Sequence, residues 1–90
     1  MAVPLQPNHA KGLSFLYTGP ALPGGWGSIR LKVKHGSQWW TFDCMNKGNN
    51  SFYISGREWG LFAEPWIRKS ATFTLYSKEE GEDFHKIKVR

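Results

Sequence analysis

In residues 28–34 (SIRLKVK), Ile29, Leu31 and Val33 alternate with Arg30, Lys32 and Lys34. A strict period of two fits an extended strand with one apolar face and one basic face. His35, Gly36 and Ser37 then make a tight connection. Residues 38–44 (QWWTFDC) resume the alternation, with Trp40, Phe42 and Cys44 on one face and Trp39, Thr41 and Asp43 on the other. The two segments are predicted to form a β-hairpin. A chain built around such a pair must bury one face of a sheet.

The rest of the chain supplies further strands at close spacing. Residues 45–50 (MNKGNN) read as a polar, Gly-containing loop, and 51–55 (SFYIS) as a third strand. Residues 71–77 (ATFTLYS) form a fourth, with Phe73 and Leu75 on one face. The turn EEGED leads to a fifth at 84–89, where His85, Ile87 and Val89 oppose Phe84, Lys86 and Lys88. Between the third and fourth strands the period changes. Trp59, Phe62 and Ala63 stand at i, i+3 and i+4, which predicts a helical turn over 57–64. Ser55 is its expected cap and Pro65 its expected stop.

Residues 1–27 read as irregular, punctuated by Pro4, Pro7, Pro20, Pro23, Gly19, Gly24, Gly25 and Gly27. A short helix is expected at 9–17, capped by Asn8, with Leu13, Leu16 and Tyr17 as its apolar face. The fold expected is mostly β, a small open β-barrel (pseudobarrel) of about five to seven short strands with one or two short helices. With 90 residues the chain makes one domain over 1–90, its barrel core at 28–90.

Five Trp, six Phe and three Tyr must carry much of the core of so short a chain. No apolar run is long enough for a membrane helix, and residues 1–12 show no hydrophobic signal core. Cys44 is the only cysteine, so no internal disulfide can form, and a reducing compartment such as cytosol or nucleus is expected. Twelve basic against seven acidic residues give a net charge of +5, suited to an anionic partner. Residues 28–57 hold Arg30, Lys32, Lys34, Lys47 and Arg57 against Asp43 alone, whereas 78–83 (KEEGED) is acidic after its first Lys. Solvated faces would account for either charge run.

No catalytic pattern emerges. His9, His35 and His85 are far apart, no serine lies in a Gly-x-Ser-x-Gly setting, and Cys44 shares a strand face with Trp40 and Phe42, as a buried inert thiol does. One Cys and three scattered His do not make a zinc site. Gly24, Gly25 and Gly27 lack the Lys-Ser/Thr of a phosphate loop. The chain is therefore expected to be no enzyme and to need no cofactor or metal. What remains is a binding surface. Arg30, Lys32 and Lys34 suit a phosphate backbone. Lys47 stands beside Asn46, Asn49 and Asn50, and Asn can contact adenine with two hydrogen bonds in the major groove. Asn and Gly are equally the ordinary residues of a polar hairpin turn.

In order along the chain, GSIRLKVKHGSQWW, TFDCMNKGNNSFYISG, EWGLF, TFTLY and FHKIKV resemble the plant B3 DNA-binding domain. That family occurs in auxin response factors, abscisic-acid-insensitive regulators, and vernalisation and reproductive-meristem proteins. Trp59 and Phe62 take the places of its Trp-x-x-Phe helix start, and PNHAKGL (7–13) is loosely similar to its Pro-x-x-His-Ala segment. The resemblance covers residues 27–90. It implies a seven-stranded open barrel with two short helices that sits in the major groove of double-stranded DNA like a wrench. Residues 46–51 would be one arm, with Lys47, Asn49, Asn50 and Ser51 facing the groove. Arg30, Lys32, Lys34 and Arg57 would contact phosphate. Trp40, Phe42, Trp59, Phe62, Phe73 and Leu75 would be core. A nuclear transcription regulator is the function implied. Two departures stand out. The family domain begins with another strand and a basic arm, but here only residues 1–6 precede PNHA and they hold no Lys or Arg, so either that strand and arm are missing or the chain has been cut. Its Gly-Asp turn before the fourth strand is Lys69-Ser70 here.

Two other readings remain open. One is a carbohydrate-binding β module, similar in outline to the C-terminal domain of expansins, in which at least two of Trp26, Trp39, Trp40, Trp59 and Trp66 form an exposed row. The other is an SH3-like barrel with an aromatic groove for a Pro-rich peptide.

Overall fold

The structure is a computed structural model that describes residues 2–17, 27–76 and 78–90. Seven strands occur in it: β1 (Ala2–Pro4), β2 (Gly12–Leu16), β3 (Gly27–His35), β4 (Gln38–Gly48), β5 (Ser51–Ser55), β6 (Thr72–Leu75) and β7 (His85–Val89). One α-helix, α1 (Arg57–Arg68), separates β5 from β6, and a 3-10 helix spans Pro7–Ala10. The strands join in the order β1-β6-β7-β3-β4-β5-β2 and curl into a nearly closed barrel. All pairs are antiparallel except β3 with β7.

The alternation in the sequence sets which way each strand faces. Leu31 and Val33 of β3, Phe42 and Cys44 of β4, Phe52 and Ile54 of β5, Phe73 and Leu75 of β6, and His85 and Ile87 of β7 all point inward and are buried. Trp59 and Phe62 of α1 fill the middle. The Trp59 ring meets Phe42 and Phe73 edge-on at 5.3 and 5.4 Å, in the geometry that aromatic quadrupoles favour. Trp40 is half-buried against the same cluster.

The helix expected at 9–17 is not formed. The chain makes a 3-10 turn over Pro7–Ala10 and then strand β2. Leu13, Phe15 and Tyr17 are buried at period two, and Leu16, assigned to the apolar face of that helix, is 69% exposed. Asn8 is no cap; the turn is held by a 3.0 Å bond from the Gln6 N–H to Nδ1 of His9. Residues 2–4 also form a strand, paired with β6 from Ala2↔Thr74 to Pro4↔Thr72. Residues 2–17 are thus built into the barrel rather than irregular, and a strand stands before the 3-10 turn where none was expected.

Pro65 does not end α1, which continues to Arg68. Pro65 and Leu61, whose carbonyl loses its donor to the proline, are both exposed, so the gap in the helical ladder faces water. Trp66 and Ile67 extend the inward stripe, packing on the core, and Arg68 bonds Glu64 one turn back at 2.7 Å. Pro20, Pro23, Gly19, Gly24, Gly25 and Trp26 lie outside the described residues, as does Ser77, the last residue of the expected fourth strand.

Candidate nucleic-acid interface

The loop expected at 45–50 is shorter than its composition suggests. Strand β4 runs on to Gly48, which pairs with Ser51, so Asn49 and Asn50 alone make the turn. Their φ angles are 54° and 61°. A two-residue hairpin with both residues left-handed is the type I′ turn, for which Asn is among the best residues after Gly. Lys47 is the extra residue in a bulge, because the register shifts between Asn46 and Gly48. Asn46 is turned onto its own backbone, its Oδ1 accepting the Gly48 N–H at 2.9 Å. Asn49, Asn50 and Lys47 are exposed and Ser51 half-buried. The tip is anchored from behind by the Tyr17 N–H, which donates to the Asn50 carbonyl at 2.8 Å.

Lys47 is held over the Tyr53 ring, its Nζ 4.8 Å from the centroid. That placement depends on Gly12, which pairs opposite Ser55 on the neighbouring strand. A Cβ at Gly12 would fall on the Tyr53 hydroxyl. The bare backbone at Gly12 leaves the Tyr53 ring room to lie across β2.

Arg30, Lys32 and Lys34 form the expected row on the outward face of β3. The structure adds a second basic strand to them. Val33 pairs with His85 and Lys34 with Lys86, so Lys86 and Lys88 of β7 continue the same outer surface. Sequence reading found the alternation of β7 but had no local signal for its parallel pairing with β3. Arg57 opens α1 at the far end of β5 from the tip and is exposed. The structure thus brings Lys47, Asn49, Asn50 and Ser51 together, lines up Arg30, Lys32 and Lys34, and leaves Arg57 apart from both groups.

Much of this row is met by acid. Arg30 lies 3.9 Å from Asp43, its cross-strand partner. The acidic turn folds back over the sheet, placing Asp83 3.5 Å from Lys32, and Glu79 and Glu82 at 3.4 and 3.7 Å from Lys86. The pairs with Asp43, Asp83 and Glu79 are exposed, so each is weak and readily exchanged for another anion, whereas Glu82 is half-buried. Lys34 has no carboxylate partner among the described residues and sits 5.3 Å from the Trp39 ring, with Lys32 at 5.0 Å. Trp39 is 50% exposed and packs edge-on against Phe84 at 4.7 Å. This aromatic pair among lysines was missed as a site feature, although the hairpin register already places Trp39 opposite Lys34.

Cys44 is 1% exposed, and burial pushes its thiol up to about 11. Among the described residues no three His, Cys, Asp or Glu side chains gather as a metal would require. No helix there is long and apolar enough to cross a membrane. No protein-family model matches the chain, and no curated protein or solved structure matches it.

Proposed function

We propose that this chain is the double-stranded-DNA-binding domain of a nuclear, plant-type transcription regulator of the B3 kind. The exposed tip reads the major groove and the β3 row contacts phosphate. The observation that carries the reading is the arrangement of one sheet face. Arg30, Lys32 and Lys34 run along β3 toward the end where Lys47, Asn49 and Asn50 project. From Trp39, opposite Lys34, to Lys47 the strand covers about 27 Å at ~3.4 Å per residue. That length reaches several phosphates of one DNA strand. A seven-stranded, nearly closed barrel with one α-helix supports the barrel part of the fold that the resemblance implies.

The asparagines have a structural reason to be where they are, since both φ angles are positive. Their side chains remain exposed, so turn formation and base contact are compatible. A test must keep the turn, and Asn49→Gly and Asn50→Gly do so because Gly adopts positive φ without strain. Selection from random duplexes should show a sequence preference for the unaltered domain, flattened in both Gly variants. Lys47→Ala should weaken all sequences alike and reduce the salt slope by about one. Four to six phosphate contacts give a log–log salt slope of about −4 to −5. A flat salt response, or no binding to any duplex pool at low salt, would falsify the assignment.

The carbohydrate reading requires two tryptophans in one exposed row. Among the described residues Trp59 is sealed in the core, Trp40 and Trp66 are half-buried, and Trp39 is the one that is exposed. Trp26 lies outside the described residues.

A further inference from the structure

Strands β6 and β7 turn five polar side chains outward into a single groove of about 310 Å³, lined by Thr72, Thr74, Tyr76, Lys88 and Arg90. Thr72 and Thr74 of β6, and Tyr76 just beyond it, alternate with buried Phe73 and Leu75. The register sets Thr74 beside Lys88. Thr72 and Arg90 exchange backbone bonds, from the Thr72 N–H to the Arg90 carbonyl at 2.8 Å and back at 3.1 Å. The lining side chains therefore offer three hydroxyls, an ammonium and a guanidinium, and no side-chain carboxylate.

The charge around it is distributed unevenly. Lys86, two residues before Lys88 on the same face, is held by Glu79 and Glu82. Lys88 and Arg90 make no ion pair with the described residues, and the hydroxyls of Thr72, Thr74 and Tyr76 make no side-chain hydrogen bond to them. The acids that meet the rest of this sheet face stop at the Tyr76 end of the groove. We propose that the groove is a binding site for a phosphate group. Two free cations match the charge of about −1.5 to −2 on a phosphate monoester. The guanidinium offers paired N–H donors to two oxygens, the ammonium acts as a point charge, and the threonine hydroxyls donate to the remaining oxygens. Tyr76, 46% exposed, gives a ring face to whatever the phosphate carries.

The groove is separate from the tip and does not rest on the DNA reading. β7 runs parallel to β3 with His85 level with Val33, so Lys88 and Arg90 lie beyond the His35 end of β3. Residues 46–51 lie at its Gly27 end.

The test is a titration of isotope-labelled protein with inorganic phosphate at constant ionic strength, read by amide chemical shifts. Saturable shifts are expected at residues 72–76 and 88–90, with 46–51 unmoved. Lys88→Gln with Arg90→Gln should weaken phosphate binding at least tenfold, and Thr74→Val about threefold. Lys11→Gln with Lys69→Gln removes the same charge elsewhere and should change nothing. Two further ligands identify the source of the phosphate. Adenosine monophosphate binding more tightly than phosphate, with added shifts at Tyr76, assigns the groove to free nucleotides. A short duplex that shifts the groove amides assigns it to phosphodiesters. Shifts that never saturate, that spread over all basic residues, or that respond equally to the control variant overturn the site.

Discussion

The indole N–H of Trp59 donates a 2.9 Å hydrogen bond to the carbonyl of His9, fifty residues earlier. It ties the buried face of α1 to the 3-10 turn before β2. Trp59→Ala is expected to cost about 3–5 kcal/mol through loss of the ring. Trp59→Phe keeps much of the packing but leaves the His9 carbonyl without its donor, and should cost about 1–3 kcal/mol. Urea denaturation of both variants measures the two effects. A Phe variant as stable as the original would show that the hydrogen bond contributes nothing.

Gly12 and Tyr53 predict a second effect. Gly12→Ala must displace the Tyr53 ring, and overpacking of this kind costs about 1–3 kcal/mol. Because Lys47 rests on that ring, its shift should spread to the tip. Adding Tyr53→Ala should restore stability to the Gly12→Ala background. If Gly12→Ala alone leaves both stability and the Lys47 amide signal unchanged, the strand is looser here than its geometry indicates.

The acidic turn competes with any polyanion for Lys32 and Lys86. Replacing Glu79 and Glu82 by Gln and Asp83 by Asn frees two lysines. Duplex affinity at low salt should rise, and the salt slope should steepen by about 2. Glu64→Gln, which frees only Arg68 on α1, is the control. Gains from the two changes in the ratio of the charges removed, three to one, would mean that net charge alone matters and that the fold-back of the turn is incidental.

His85 predicts a pH effect. It is 2% exposed, and its Nδ1–H donates to the Tyr76 carbonyl at 2.8 Å, which leaves Nε2 buried without a partner. Burial lowers its pKa from the ordinary value of 6.5, the Tyr76 carbonyl opposing and Lys78 reinforcing the shift. The unfolded chain therefore binds a proton more readily than the folded one. The stability is fully present above about pH 6.5 and is lost as pH falls below it toward the lowered folded value. Urea midpoints at pH 7.5 and 5.5 should differ in the original protein and differ less in His85→Gln. A pH-independent midpoint would show that the imidazole finds a partner for its second proton.

The β3–β4 hairpin was legible because period-two alternation over seven residues admits few alternatives. The helix start was legible from Trp59, Phe62 and Ala63. Segment 12–17 misled because Leu13, Leu16 and Tyr17 satisfy a helical spacing while Leu13, Phe15 and Tyr17 satisfy a strand. Only pairing with β5 decides between them. Pro65 misled because whether a proline ends a helix depends on which side of it meets water. At the candidate site, the outward row of β3 could be read locally, but its continuation onto Lys86 and Lys88 could not. Pairing between residues more than fifty apart leaves no mark on either segment.

The parallel contact between β3 and β7 has a consequence for how the molecule comes together and apart. It has two registered pairs, Val33↔His85 and Lys34↔Lys86. On one side of it lie β1, β6 and β7, and on the other β2 to β5. The second group can pair as soon as residues 12–55 exist, whereas the first needs both ends of the chain. The two groups thus meet along a short backbone seam but share one core, since the Trp59 ring touches Phe42 on one side and Phe73 on the other, and the seam is where sub-global opening would part them. The tip belongs to one and the phosphate groove to the other, so a ligand at either should slow amide exchange mainly in its own half.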